Sequence, residues 1–244
     1  MRILIVRHGE PDYSIDSLTP KGWREAELLS RRLTKLPVED FYCSPLGRAR
    51  DTARPTLEKL GREAKILPWM EEFRGKIQPY GKRGHGYPWD LPFRELTGSP
   101  DYFDRENWVN APIINTGNSK EIFEETKQGV DQLLSSYGYR RDGLGYRCEH
   151  NRDFTIVLFC HLALGSAVVG YLTGISTAQL WQSFYMAPTS VTTLGSSEVE
   201  RGDVSFRCLQ FGDTSHLYAA GEPLSKAGLL PEVYEPGSVR NWDE

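Results

Sequence analysis

The sequence predicts an α/β fold: a three-layer, doubly wound, mostly parallel sheet of about six strands, with helices on both faces. Three observations predict it. Apolar runs such as Ile3-Leu4-Ile5-Val6 and residues 154–160 have the composition of strands buried on both faces. Amphipathic stretches of helical period lie between such runs. Strand, helix, strand, helix and strand also follow one another in close succession near the start, which implies parallel pairing through right-handed crossovers.

The elements can be justified in order. After the strand at residues 3–6, Leu18-Thr19-Pro20-Lys21-Gly22 opens a helix. Thr19 is suited to cap it, and Pro20 to its first position, where a missing N–H costs little. Trp23, Ala26, Leu29, Leu33 and Leu36 then recur at helical spacing as far as Pro37. Phe41-Tyr42-Cys43 forms a strand that stops at Ser44-Pro45, a second helix covers residues 46–60, and residues 64–67 form a third strand.

From about residue 76 to 118 no period is sustained. Glycines and prolines alternate with Tyr80, Tyr87, Trp89, Phe93, Tyr102, Phe103 and Trp108. Flexible linkers rarely carry so many rings, and long loops in compact domains are usually functional. The segment is therefore expected to be an ordered insertion, a lid over the carboxyl-end rim of the sheet, within a single domain of residues 1–244. Its rings, Trp89 and Trp108 among them, are expected to exclude water or stack on a ligand. A helix at 119–137, a charged loop at 140–151, a buried strand at 154–160, a helix at 163–172 and strands at 191–194 and 204–211 follow. The tail after Leu217, rich in Gly, Pro, Glu and Ser, is expected to wrap the surface or be partly mobile.

Composition narrows the function. A chain of 244 residues with 39% hydrophobic and 25% charged residues can bury one large core. A net charge of -4 offers no basic footprint for nucleic acid. Apolar runs too short to span a bilayer predict no membrane partner, and Met1-Arg2 leading straight into a strand predicts no signal peptide. Cys43, Cys148, Cys160 and Cys208 lack a CxxC spacing, so they read as buried, reduced thiols of a cytoplasmic protein. Neither a metal nor a cofactor is expected.

The chemistry begins at Arg7-His8-Gly9-Glu10, where the first strand ends. In a doubly wound sheet the carboxyl ends of strands open into the binding crevice. There an imidazole can attack phosphorus, a guanidinium can hold phosphate oxygens, and glycine admits a close ligand. Arg48, in the first turn of the second helix, and His161, directly after the strand ending Phe159-Cys160, fall on the same rim. Arg48 alone could be a solvated helix residue and His161 alone a helix cap, but convergent polar groups in one crevice mark a site.

These residues resemble the histidine phosphatase superfamily, which includes the cofactor-dependent phosphoglycerate mutases. Val6-Arg7-His8-Gly9-Glu10, Leu18-Thr19-Pro20-Lys21-Gly22, Ser44-Pro45-Leu46-Gly47-Arg48-Ala49-Arg50-Asp51-Thr52-Ala53 and His161 carry the resemblance. It implies a nucleophilic His8 that becomes phosphorylated and is then hydrolysed. Arg7, Arg48 and His161 would clamp the phosphoryl oxygens, with His161 of most use when protonated. It also implies a carboxylic acid just after the third strand that protonates the leaving group. The family's spacing selects Glu72 over Glu71, and Trp69 and Phe73 beside it would raise its pKa by desolvation.

The departures bear on which branch of the family the chain follows. Leu162 replaces the glycine that often follows the second histidine. Pro11 and Ser14 replace the serine and asparagine of the mutases, whose glutamate-arginine-histidine-tyrosine-glycine stretch is absent after Glu72. The expectation is thus a metal-independent phosphomonoesterase acting on a small phosphorylated metabolite. The alternatives are a phosphoglycerate mutase, or a phosphate-binding or interaction module without catalysis. Arg83, His85 and Trp89 in the insertion, and His216 in Phe211-Gly212-Asp213-Thr214-Ser215-His216-Leu217, are weaker substrate-binding candidates, with His216 read chiefly as structural.

Overall fold

The computed structural model describes residues 1–78, 86–96, 98–229 and 232–233. Its strands are β1 (Arg2–Arg7), β2 (Pro11–Asp12), β3 (Ser17–Leu18), β4 (Val38–Cys43), β5 (Lys65–Ile66), β6 (Arg140–Asp142), β7 (Gly145–Arg147), β8 (Thr155–Cys160), β9 (Val191–Glu200) and β10 (Asp203–Asp213). The helices are α1 (Pro20–Leu33), α2 (Gly47–Leu60), α3 (Phe93–Leu96), α4 (Ser119–Ser135), α5 (Leu162–Thr173), α6 (Thr177–Ser183) and α7 (Ser215–Tyr218).

Eight strands form the main sheet in the order β5-β4-β8-β1-β9-β10-β7-β6, while β2 and β3 pair as a small separate ribbon. The α/β class holds, but the sheet is larger and more mixed than expected. β5, β4, β8 and β1 pair in parallel, and β9, β10, β7 and β6 continue the sheet antiparallel from β1. The extra strands are the hairpin β6–β7, within the charged segment read as a loop. It lies at the sheet's margin, where pairing with β10 requires no apolar alternation.

Alternation along the central strands divides the core between the two faces. Leu4, Val6, Phe41, Cys43, Val157 and Phe159 meet Leu29 and Leu33 of α1 and Ala49 and Ala53 of α2. Ile3, Ile5, Ile156, Leu158 and Cys160 meet α4, α5 and α6 on the other face. Residues 163–172 of α5 are all buried, which explains its lack of an amphipathic stripe. Each fully buried aliphatic side chain contributes about 1.5–3 kcal/mol.

Thr19 caps α1 as expected, its hydroxyl oxygen accepting the N–H of Gly22. Gly9 has a different reason from the one expected. A Cβ there would lie 2.9 Å from the carbonyl oxygen of Gly22, and a Cβ at Gly22 would lie 2.3 Å from that of Glu10. The two glycines let α1 press its first turn onto the backbone after β1. Cys43, Cys148 and Cys160 are buried, whereas Cys208 is exposed in the middle of β10, contrary to expectation.

The described parts of the insertion consist of α3 and short 3-10 turns, with a bridge between Ile77 and Gly86. They pack against α4 and α6. Gln182 donates to the carbonyls of Trp89 (3.3 Å) and Leu91 (2.7 Å), and Trp108 is fully buried against Phe123 and Trp181. Trp108 is therefore part of the core and cannot stack on a ligand. Trp89 is half-buried, with Tyr87 stacked on it at 4.6 Å and Phe73 and Trp181 edge-on.

Candidate active site

The strand order brings together residues far apart in sequence. β8 lies between β4 and β1, so Ser44, His161 and His8 emerge at adjacent strand ends. The backbone N–H of His8 donates to Cys160 O and that of Ser44 to Phe159 O, both at 2.9 Å, extending the ladders into the site. The rings of His8 and His161 lie with centroids 5.2 Å apart.

His8 is buried, and its Nδ1 lies 2.7 Å from the carbonyl oxygen of Gly9. A carbonyl only accepts, so Nδ1 carries the proton and the lone pair belongs to Nε2. Burial, then the charge of Arg7, push the His8 pKa well below the usual histidine value. His161 is also pushed down, by burial and then by His8, Arg48 and Arg7. Both imidazoles are therefore neutral before an anion arrives, and the expectation of a protonated His161 applies only beside a bound dianion. Although His161 occupies the cap position of α5, its side chain makes no capping bond. Nε2 faces the Ser44 hydroxyl at 2.7 Å, and Nδ1 is buried without a partner.

The two arginines are anchored differently. Arg7 donates through Nη1 to Met186 O (2.6 Å) and through Nη2 to Ala227 O (2.8 Å), while its Nε is buried and unpaired. Arg48 donates through Nη1 to Asp16 Oδ1 (2.6 Å), and its Nε is likewise buried and unpaired. Asp16 Oδ2 also accepts the N–H of Gly47 (2.7 Å), so this carboxylate ties the first turn of α2 to the loop between β2 and β3. Asp16 has a φ of 47°, in the left-handed region that aspartate tolerates better than most residues.

Glu72 is half-buried, and its carboxylate meets the first turn of α5. Oε1 accepts the N–H groups of Phe73 (2.8 Å) and Leu164 (3.0 Å), and Oε2 accepts that of Ala163 (3.4 Å). Desolvation raises its pKa above the usual carboxylate value, opposed by these N–H bonds and by Arg7. Glu71 instead pairs with Arg74 at 2.8 Å.

His216 lies behind the rim. Its Nε2 is 3.2 Å from the hydroxyl of Thr189, whose own N–H donates to the carbonyls of Arg7 (3.1 Å) and His8 (3.3 Å). Thr189 holds a φ of 57°, strained for a β-branched residue, so this bracing costs backbone energy. Through Thr189, His216 thus touches the backbone of Arg7 and His8 at second hand. Arg83 and His85 lie outside the described residues.

The structure brings together Arg7, His8, Arg48, Glu72 and His161. Sequence reasoning missed three further groups: the Ser44 hydroxyl, quoted in the motif but given no role, Asp16, and the carbonyl of Ala227 from the tail. Only Ser44 had a signal, its position directly after a strand, where its motif opens the second helix.

The chain matches the family model of the histidine phosphatase superfamily (branch 1) over residues 3–78. It is 37% identical over 190 residues to the adenosylcobalamin/alpha-ribazole phosphatase of Salmonella typhimurium, covering 74% of this chain and 84% of that protein. It is 31% identical over 165 residues to the 2,3-bisphosphoglycerate-dependent phosphoglycerate mutase of Thermoplasma acidophilum, covering 62% and 78% respectively. Its fold is similar to the solved structure of a mycobacterial glucosyl-3-phosphoglycerate phosphatase, with a TM-score of 0.61 at 22% identity over 87% of this chain and 99% of that one.

Proposed function

The chain belongs to the histidine phosphatase superfamily, and from that membership we propose that it hydrolyses a small phosphate monoester through a phosphohistidine at Nε2 of His8. The observation that carries the site assignment is a set of buried, unpaired nitrogens around His8: Arg7 Nε, Arg48 Nε and His161 Nδ1. A buried donor without a partner costs stability, and three in one crevice complement the oxygens of a phosphoryl group.

Phosphoryl transfer is catalysed mainly by positioning and fixed positive charge. His8 is oriented by Gly9, so its Nε2 lone pair can form the bond to phosphorus as the ester P–O bond breaks. The leaving oxygen takes the proton of Glu72, whose raised pKa keeps a protonated fraction available. Water then attacks the phosphohistidine, the carboxylate takes the water's proton, and inorganic phosphate leaves. Arg7, Arg48 and His161 hold the equatorial oxygens through both steps. The insertion, with Trp89 at its inner side, is assigned the choice of leaving group. Its packing against Phe73, the residue after Glu72, supports this.

A relative named a mutase keeps isomerisation as the second reading, but Pro11, Ser14 and the missing mutase stretch favour hydrolysis. A screen over sugar phosphates, phosphoglycerates, nucleotides, phosphoamino acids and phosphopeptides tests the proposal by phosphate release. Release from small monoesters is expected. Isomerisation of a phosphoglycerate that depends on a bisphosphate primer would identify a mutase, and phosphate binding without turnover would identify a binding module.

A further inference from the structure

The tail beyond α7 does more than wrap the surface. Glu222 pairs with Lys21 (3.2 Å) and Arg24 (3.3 Å) of α1, which brings the following residues back across the rim. Ser225 is buried and donates its hydroxyl to Glu10 Oε2 at 2.7 Å. Ala227 O accepts both Arg7 Nη2 (2.8 Å) and the Tyr185 hydroxyl (2.9 Å), and Ser225 O lies 3.2 Å from the same hydroxyl. The Tyr185 ring faces the Arg7 guanidinium at 5.7 Å. Gly228 has a φ of 80°, and a Cβ there would stand 3.0 Å from Arg7 Nη2.

Arg7 is thus held by one carbonyl from the segment before β9, Met186, and one from the tail, Ala227, with an aromatic ring against it. A guanidinium is a planar fork, so fixing both terminal nitrogens fixes the direction of Nε–H. The partners are neutral carbonyls. They orient the cation and leave its charge available to an anion, whereas the carboxylate on Arg48 neutralises part of the charge it orients.

We propose that residues 222–228 form a strap that belongs to the phosphate clamp. The Tyr185 hydroxyl holds the Ala227 carbonyl, and that carbonyl holds the plane of Arg7 so that its Nε–H meets a phosphoryl oxygen. The strap and Tyr185 are positioning groups. The inference rests on the reading of Arg7 as a clamp residue, and the test separates the two.

Three full-length variants perturb the relay differently. Tyr185→Phe keeps the ring and removes the hydroxyl, Ser225→Ala releases the strap from Glu10, and Gly228→Val presses a side chain onto the guanidinium. The readouts are the dissociation constant for inorganic phosphate and kcat/KM for p-nitrophenyl phosphate, with thermal midpoints to confirm folding. Tyr185→Phe and Gly228→Val should each weaken phosphate binding by about tenfold, the scale of one hydrogen bond to a charged group, and Ser225→Ala by less. In an Arg7→Ala background Tyr185→Phe should cost less than about twofold, because the group it positions is gone. An undiminished Tyr185→Phe effect in that background would show a general structural role and overturn the strap, as would unchanged phosphate binding in all three variants. If Arg7→Ala alone leaves phosphate binding intact, the clamp reading itself fails.

Discussion

The Ser44 hydroxyl oxygen stands 2.7 Å from Nε2 of His161 and accepts the N–H of Leu46 at 3.3 Å. The hydroxyl has a proton to give and two lone pairs, and we assign its proton to the bond with Nε2. The proton of the neutral imidazole then resides on Nδ1, the buried nitrogen that has no partner. In this tautomer His161 presents Nδ1–H as a donor towards the place assigned to phosphate.

Ser44→Ala should lower kcat/KM by about tenfold, the scale of one buried hydrogen bond expressed in a transition state. It should also release the tautomer. Nitrogen-15 NMR of His161 is expected to show proton density shifting from Nδ1 towards Nε2. An unchanged tautomer would remove Ser44 from this role.

His8→Ala should reduce turnover to background while leaving the fold intact. Enzyme quenched in alkali during turnover should carry a base-stable, acid-labile phosphate on His8. Label recovered on any other residue would reassign the nucleophile.

Glu72→Gln should act according to the leaving group. A sugar alkoxide needs a proton and a nitrophenolate largely does not, so the variant should slow sugar-phosphate hydrolysis by roughly a hundredfold and spare most of the nitrophenyl phosphate rate. Glu71, paired with Arg74, should show no such difference. The opposite pattern would move the acid one residue back.

Glu25 provides a pH test of stability. It is buried under the motif, accepts the N–H of Glu10 at 2.8 Å, and its pKa is pushed up to about 7 from an ordinary 4.5, chiefly by burial. Lys21 opposes the shift, and Glu10 and Glu222 add to it. Between those values the folded protein holds a proton that the unfolded chain has lost, so this group's contribution to stability falls as pH rises through that window. His216, pushed down to about 4 from 6.5, acts in the opposite sense, with stability lost as pH falls between those values. Comparing Glu25→Gln with the parent cancels the His216 contribution. The thermal midpoint of the variant relative to the parent should rise with pH across the Glu25 window. A flat or falling difference would contradict the assignment.

Chelation should leave turnover unchanged. Among the described residues no three His, Cys, Asp or Glu side chains gather into a set that could hold a metal ion, and Arg7 and Arg48 supply the positive charge. Loss of activity in a chelator, restored by magnesium or zinc, would contradict the proposed chemistry.

The legible parts of the protein were those set by local pattern. Thr19 and Pro20 announce α1 because a helix start needs a side-chain acceptor and tolerates a missing N–H. The apolar runs of β1 and β8 announce their own burial, and the polar residues just after them announce the rim. The β6–β7 hairpin escaped because an edge hairpin needs pairing more than apolar alternation, and the tail escaped because composition does not say where a polar segment docks.

By itself the sequence determined the α/β class and offered Arg7, His8, Arg48 and His161 as candidates at the carboxyl ends of strands, while Glu72 was added by the resemblance to the histidine phosphatases. The first four follow from residue type and position along the chain. Tertiary structure alone decided the hydrogen bonds that orient those residues: Ser44 to His161 across 117 positions, Asp16 to Arg48 across 32, and Ala227 to Arg7 across 220. The physical reason is that a proton's place on an imidazole, or the plane of a guanidinium, depends on acceptors and donors within about 3 Å. Which of these come that close is settled by strand order and by the path of the tail, neither of which is encoded in any local stretch.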